Sequence, residues 1–324
     1  MTKRAHFVRG QQPDGKLKLS HDRKVSPRGW YQQSRNRWVP KIPNSFGLPA
    51  GKTCPGRTPF CDLCYAKNSE QGAGVSALVE HNYKLLCEAG TVVGMTQLLT
   101  EMIWTYVREA DRRELEPHER IFRIHWDGDF FSEDYALAWA ITMIEFPEIK
   151  FWVYTRSFAS PVNVVPILAY VDNLKLYLST DEWNLPVAEV MAKEFDNVHL
   201  AFCSDDHASA MAMAPERKAR ICPENAGKVA LMTDGTGACV TCGLCPEGRA
   251  DVTFATSGKR WQPVQLRLDL PGIAAGFKAG TCMNPGCHNL IVHVGRGRPA
   301  KYCSEVCRWK SSRLMQKQRA PNAN

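Results

Sequence analysis

The chain has 324 residues, 44% of them hydrophobic and 23% charged, which is ordinary for a folded globular protein and enough for one large domain plus an appendage. No apolar run approaches the roughly 20 residues that a bilayer span needs, and the opening MTKRAHFVRG has no apolar stretch behind its basic residues, so a membrane protein or a secreted one is not expected. The net charge of +8 is unevenly placed: residues 1–41 carry +9 and residues 296–324 carry +7, leaving −8 between them, and basic ends around an acidic body point to a polyanion, nucleic acid first.

In a reducing compartment 13 cysteines point to metal rather than to disulfides, and 11 of them fall into groups of three, four and four. Residues 1–38 are polar, basic and without periodicity, and read as a loosely ordered arm. The text NSFGLPAGKTCPGRTPFCDLCYAKN over 44–68 reads as a long functional loop, because glycine, proline and cysteine punctuate it throughout. It holds Cys54, Cys61 and Cys64 in C-x6-C-x2-C spacing, followed at once by Tyr65. Three thiols from one loop are one short of the four that close a structural zinc site, and no histidine lies within the loop to complete it. A cluster bound by three cysteines instead leaves one iron open to a small ligand.

Helices are expected over 75–89 and 95–108, the second on the spacing of Met95, Leu98, Leu99, Met102, Ile103, Tyr106 and Val107 along one face. An alternation then begins. Strands at 121–126, 150–155, 174–179 and 198–203 are separated by helices at 133–146, 164–170 and 187–195. Short, nearly continuous apolar strands between helical patterns are the mark of a parallel sheet covered by helices. In such folds chemistry gathers at the carboxyl ends of the strands. There the sequence places HWDGD at 125–129, TRS at 155–157, STDE at 179–182 and CSDD at 203–206, which makes Asp127, Asp129, Arg156 and Asp181 the candidate catalytic residues, with Asp205 on the same face. The plainer reading of Asp127 and Asp129 is that they cap the helix that follows. Cys87 reads as packing material in its helix, and Cys203 as a core cysteine at the end of its strand.

A second group, Cys222, Cys239, Cys242 and Cys245, is spaced C-x16-C-x2-C-x2-C. Its CVTCGLCP text partly resembles a ferredoxin cluster loop and equally spells a zinc knuckle, so iron–sulfur and zinc both stand for this auxiliary site. The third group, Cys282, Cys287, Cys303 and Cys307, is spaced C-x4-C-x15-C-x3-C, a two-plus-two frame suited to tetrahedral zinc. It carries GRGRPAKY between its pairs and a basic RWKSSRLMQKQR segment after them, and resembles small zinc fingers at the ends of bacterial DNA-associated proteins. The expected domains are therefore an arm at 1–38, a metal-cluster domain at 39–260 with its auxiliary site at 222–245, a linker at 261–281, and a zinc-finger-like module at 282–324.

The loop of Cys54, Cys61, Cys64 and Tyr65 resembles that of the radical S-adenosylmethionine (SAM) enzymes. There, three cysteines after the first barrel strand hold a 4Fe–4S cluster whose open iron chelates SAM. The spacing departs from the usual one, with six residues rather than three between the first two cysteines. That family also has a small Gly/acidic motif after its second strand which helps to hold the SAM amino group. Trp126-Asp127-Gly128-Asp129 is similar in position but not in letters, so the resemblance implies cofactor contacts from Tyr65, Gly128 and Asp129. The phrases NSFGLPAGKTCP, FCDLCYAKN, HWDGDFFSEDYALAW, FWVYTRSF and CVTCGLCP, over about 40–255, resemble the gene product 88 family of actinobacterial phage and plasmid proteins. That likeness implies a phage protein acting in the host cytoplasm and supplies no substrate.

Together these readings predict an α/β fold, a partial β/α (TIM-like) barrel with cysteine-rich metal-binding extensions. The expected function is radical SAM-like chemistry on a nucleic acid or nucleotide, with a 4Fe–4S cluster, SAM and zinc as cofactors, nucleic acid as partner and a protein reductant as a further one. Two rivals stand beside it. One is a non-catalytic nucleic-acid-binding iron–sulfur/zinc protein. The other is a metal-dependent nuclease using Asp127, Asp129 and Asp181.

Overall fold

A computed structural model of the protein describes residues 15–32, 37–40, 42–159, 161–233, 235–256, 278–281, 290–293 and 301. The chain forms two compact units, 1–258 and 259–324. In the second, Lys278–Thr281 pairs antiparallel with Leu290–His293. The third cysteine group and residues 308–324 lie outside the described residues.

The first unit is built on a seven-stranded sheet in which every neighbouring pair is parallel. Its strands are β1 (Ser45–Gly47), β2 (Ile121–Asp127), β3 (Lys150–Thr155), β4 (Leu174–Thr180), β5 (Val198–Ser204), β6 (Arg220–Ile221) and β7 (Val252–Ala255). Their spatial order is β6-β7-β5-β4-β3-β2-β1, with β6 and β1 at the two ends of the ladder. The expected parallel α/β sheet is present. Three of its strands were not foreseen. β1 lies inside the segment read as a loop, and β6 and β7 flank the auxiliary site, where two to four residues are too few to show a period.

The helices are α1 (Tyr65–Ser69), α2 (Ala73–Ala89), α3 (Val92–Arg112), α4 (Glu133–Ile144), α5 (Val165–Leu168), α6 (Leu185–Glu194), α7 (His207–Ala212) and α8 (Ala238–Cys242). α3 begins where the Thr91 side chain accepts from Gly94 N at 3.1 Å, and it buries Met95, Leu99, Met102, Ile103 and Tyr106. α4 is capped by Ser132, which accepts from Tyr135 N at 3.1 Å, and Glu133 and Asp134 in its first turn favour the same end. α2 stops at Gly90, whose φ of +62° is the left-handed conformation that glycine adopts without cost.

The two faces of the sheet are covered differently. The first packs against the helices in one large core that includes Phe122, Ile124, Phe151, Val153, Leu176, Leu178 and Leu200. On the second, Ile121, Trp152, Tyr177, Ala201 and Val252 meet Val25 and Cys245, with Cys222, Cys239 and Leu244 at the margin. Residues 15–29 fall within the basic arm expected over 1–38. Here Val25 and Ser26 are fully buried, Ser20 bridges to Ser45, and Asn44 Nδ2 donates to both Val25 O at 2.6 Å and Ile121 O at 2.9 Å. From α2 the buried Asn82 accepts from Lys18 N at 2.8 Å and donates to Gly47 O at 3.2 Å, fixing the strand that leads into the cysteine loop.

Candidate functional site

The loop that carries Cys54, Cys61 and Cys64 leaves β1 and is fastened to the carboxyl ends of its neighbours one after another. Thr53 Oγ1 accepts from Asp129 N at 3.2 Å, just past β2. Gly56 is pressed against the Arg156 carbonyl, past β3, so closely that a Cβ there would overlap it. Thr58 Oγ1 donates to Asp181 Oδ2 at 2.5 Å, past β4, and accepts from Arg156 Nη1 at 3.1 Å. Gly128, with φ +74°, completes the seat: a Cβ there would lie 2.6 Å from both Leu48 O and Thr53 Oγ1. A short 3-10 turn over Pro59–Leu63 then carries Cys61, and Cys64 N donates to Cys61 O at 3.2 Å.

The three thiols are half-buried electrostatic neighbours. Burial pushes the Cys54 thiol up to about 12; the carboxylate of Asp129 adds to this, and Cys64 and Cys61 add further. The one opposing effect is Gly51 N, which donates to Cys54 Sγ at 3.3 Å. Neighbouring thiolates repel one another, and a bound metal or cluster neutralises that charge outright. Among the described residues no three His, Cys, Asp or Glu side chains stand placed to hold a metal ion.

The acidic residues behind the loop have distinct surroundings. Asp129 accepts from Thr155 Oγ1 at 2.6 Å, Arg156 N at 2.7 Å and Phe130 N at 2.8 Å. Burial still raises its carboxyl to about 6, because these donors only partly offset the loss of water. Asp127 is raised further, to about 8, first by burial and then by the charge of Glu70. Its Oδ1 accepts from Gly128 N at 2.8 Å, whereas its buried Oδ2 has no hydrogen-bond partner among the described residues. Asp181 is 1% exposed and ion-paired to Arg156. None of these is the helix cap that the plain reading allowed, since Ser132 takes that place. Asp127, Asp129, Arg156 and Asp181 are thus brought together under the loop, while Asp205 stays exposed at the surface.

His125 lies among Phe46, Phe130 and Tyr135 of the helix-side core. The pairing of β1 with β2 shifts between Ser45 and Gly47, which face Arg123 and Asp127, and the irregular stretch gives His125 a φ of +55°. The ring turns into the helix-side core, 4.5 Å from Phe130, with Nε2 at 3.0 Å from the Tyr135 hydroxyl. Burial pushes its pKa down to about 3, with Arg123 adding to the fall.

The auxiliary cysteines come together on the second face of the sheet. Cys239 heads α8, and its N donates to Lys24 O at 2.8 Å. Gly237 N donates to Ser26 O at 2.9 Å, and a Cβ on Gly237 would overlap the Lys24 carbonyl, so residues 23–26 and this module are closely fitted. Burial pushes the Cys245 thiol up to about 12, opposed by the nearby Tyr154 hydroxyl, while Cys222 and Cys242 push it further. Cys239 is raised likewise, burial first, with Cys245 and Cys222 among its charged neighbours. A pocket of about 290 Å³ opens beside it, lined by His118, Cys239, Thr241, Glu247 and Arg249 among others.

Arg123 lies between the two cysteine groups. Its Nη1 pairs with Asp22 Oδ2 at 2.9 Å, its Nη2 donates to the Tyr65 hydroxyl at 3.3 Å, and its guanidinium lies 5.7 Å from the Tyr154 ring centre. Tyr65 in turn donates to Trp126 O at 2.8 Å, so its hydroxyl is tied to the end of β2 although 63% of the residue is exposed. Of the outlying cysteines, Cys87 is exposed on α2 rather than packed, and Cys203 is half-buried with its sulfur 3.7 Å from Ser179 Oγ.

Sequence reasoning did not single out Arg123, Glu70, Thr53 or Thr58. The two threonines sit inside the quoted loop and could be noticed only as hydroxyls beside cysteines. Arg123 could have been found as a lone charge in an apolar strand, IFRIHW.

Comparison with known proteins follows the same segment. The family model described as "Gene product 88" matches residues 16–248. The chain is 39% identical over 248 residues to "Gene 88 protein" of Mycobacterium phage L5, an alignment covering 75% of this chain and 99% of the relative. It is 38% identical over 248 residues to "Gene 88 protein" of Mycobacterium phage D29, again covering 75% and 99%. No solved structure matches the chain. Among the described residues no helix is long and apolar enough to cross a membrane.

Proposed function

This chain belongs to the Gene product 88 family, and from that membership and the seating of its cysteine loop we propose a radical SAM-like iron–sulfur protein acting on a nucleic acid or nucleotide. One observation carries the reading. The Cys54/Cys61/Cys64 loop follows an edge strand of a parallel sheet and is fastened to the ends of the next three strands through Asp129, Arg156 and Asp181. Sites at the carboxyl ends of parallel strands are where such folds place chemistry. In this reading the sheet is a partial β/α barrel, with the helices outside and the second face within.

A 4Fe–4S cluster held by three cysteines would supply one-electron reduction to a ligand on its open iron. Cys54, Cys61 and Cys64 would hold it, and their half-buried, mutually charged surroundings fit a group that compensates thiolate charge. The chain's own residues supply the rest. Asp127 Oδ2, buried beside Glu70, would accept from a ligand ammonium such as that of SAM once its carboxyl is ionised. Gly128 lets the backbone approach closely, and Arg156 with Asp181 holds the loop against the strand ends. Zinc or iron–sulfur at the auxiliary site, zinc at Cys282, Cys287, Cys303 and Cys307, nucleic-acid contact through the basic ends and a reductant partner complete the proposal.

The test is anaerobic reconstitution with iron and sulfide, followed by analysis of metal, sulfide and SAM-derived products after reduction by dithionite. Brown protein that loses one cluster in the Cys54/Cys61/Cys64→Ala variant and cleaves SAM is the expected result. Colourless protein binding only zinc at these three positions overturns the reading.

A further inference from the structure

The deepest cation of the second sheet face belongs to neither cysteine group alone. Arg123 extends from β2 on that face, its side chain only 14% exposed, and its Nε is buried with no partner among the described residues. A buried guanidinium holding an unused donor loses hydration without full return, so an arginine kept there is expected to face further negative charge. Asp22 accounts for one such charge, at 2.9 Å. Lys24, His125 and Asp127 also lie within its electrostatic reach, and the other groups around it are sulfur and phenol. Cys239 and Cys245 lie on one side with Tyr154, and Tyr65, the residue next to Cys64, lies on the other.

We propose that Arg123 is a shared counter-charge of the two cysteine centres, a positioning residue that sets how readily the centre at Cys54/Cys61/Cys64 is reduced and steadies the thiolates at Cys239 and Cys245. The inference rests on the reading of both cysteine groups as metal centres. A contiguous chain joins them: Cys64 is bonded to Tyr65, whose hydroxyl accepts from Arg123, which lies over Tyr154, whose hydroxyl lies beside Cys245. Burial works against the charge of Arg123 while Tyr65, Asp22, Tyr154 and Cys239 act in its favour, and a guanidinium keeps its proton in proteins. A fixed positive charge favours the more negative, reduced form of a nearby cluster. Asp22, touching the same guanidinium, acts with the opposite sign. The Tyr65 contact is planar and directional, which suits arginine better than lysine.

The experiment uses the full chain, reconstituted anaerobically with iron and sulfide, with dithionite as the one-electron reductant. Metal content at both centres and the midpoint potential of the first are measured for the native protein and for Arg123→Gln, Arg123→Lys and Asp22→Asn. The expected result is opposite shifts. Arg123→Gln disfavours reduction about tenfold, which is about 59 mV for one electron, Asp22→Asn favours it, and Arg123→Lys keeps most of the native value. A change in packing alone would not move two neighbours in opposite directions. Where Arg123→Gln fails to take up iron, Asp22→Asn and Arg123→Lys decide between the outcomes. Potentials that stay unmoved, or that move together, in variants carrying the native metal content overturn the proposal. Absence of iron from the native protein instead overturns the reading it rests on.

Discussion

Gly56 lies so close to Arg156 that the smallest possible side chain would overlap the Arg156 carbonyl. The contact presses the middle of the cysteine loop onto the end of β3, and it is made of backbone on the Arg156 side, which cannot rotate away. Gly56→Ala is therefore expected to lift the loop and to cost about 1–3 kcal/mol, the usual range for overpacking. Gly74→Ala, with open space around its Cβ in α2, is the control and should be neutral or slightly stabilising. Urea midpoints together with iron retention after reconstitution check both. A Gly56→Ala protein with native stability and full iron uptake would count against this role for the contact.

The Arg156–Asp181 pair is nearly buried, with side chains 11% and 1% exposed. Removing one member leaves the other charge without its partner, so Asp181→Ala should cost about 3–5 kcal/mol. Replacing both, as Arg156→Met with Asp181→Ala, should cost clearly less than Arg156→Met and Asp181→Ala added together, because no orphaned charge remains. Thermal or urea unfolding of the four proteins gives the coupling. Additive single effects would show that the pair is not a unit.

His125 predicts a pH dependence. Its folded pKa is depressed from the ordinary 6.5 to about 3, so the native state favours the neutral ring. That contribution is whole above pH 6.5 and is lost progressively as pH falls towards 3, with about one proton taken up on unfolding. Asp127 and Asp129 act in the opposite sense, because their raised carboxyls stabilise more as pH falls. The comparison must therefore be between native protein and His125→Gln. The stability gap should move in favour of the variant between pH 7 and pH 5, as read by urea midpoints, and a gap independent of pH would refute the assignment.

The boundary between the two units at residues 258 and 259 makes a fourth expectation. A chain ending at 258 should fold and keep both inner cysteine groups, since every strand of the seven-stranded sheet lies before that point. The full chain should bind DNA or RNA more tightly at low salt than the shortened one. If its C-terminal charges neutralise about four phosphates, a fourfold rise in salt weakens binding on the order of a hundredfold. Equal affinity of the two proteins at low salt would refute contact through residues 259–324.

The alternation from Ile121 to Cys203 was legible because long apolar strands and capped helices carry their own period. Lys150–Thr155 is found with its bounds unchanged, and Ser132 and Thr91 mark helix starts by their side chains. The strand-end rule likewise put Asp127, Asp129, Arg156 and Asp181 on one face. What stayed hidden depends on partners far along the chain. β1 and β6 are strands only because a neighbour pairs with them, and nothing in SFG or RI announces that. The irregular β1–β2 register accompanies the positive φ of His125, and a period counted on β2 alone cannot detect it. The packing of residues 15–29 is equally a long-range effect, resting on Asn44, Asn82 and Ser45 rather than on any pattern within the arm.

The position of β7 between β5 and β6 fixes the order in which this protein can be completed. A ribosome releases β6 before its sheet neighbour β7 exists, and β5 waits some fifty residues for the strand that covers its edge. The auxiliary cysteines wait as well, since their module closes on Lys24 and Ser26, made more than 200 residues earlier. Loops of that span form slowly because chain entropy must be lost before the contacts return anything. During synthesis the thiols of the auxiliary group therefore wait while β5 still has an open edge, and folding competes with oxidation and with pairing between chains.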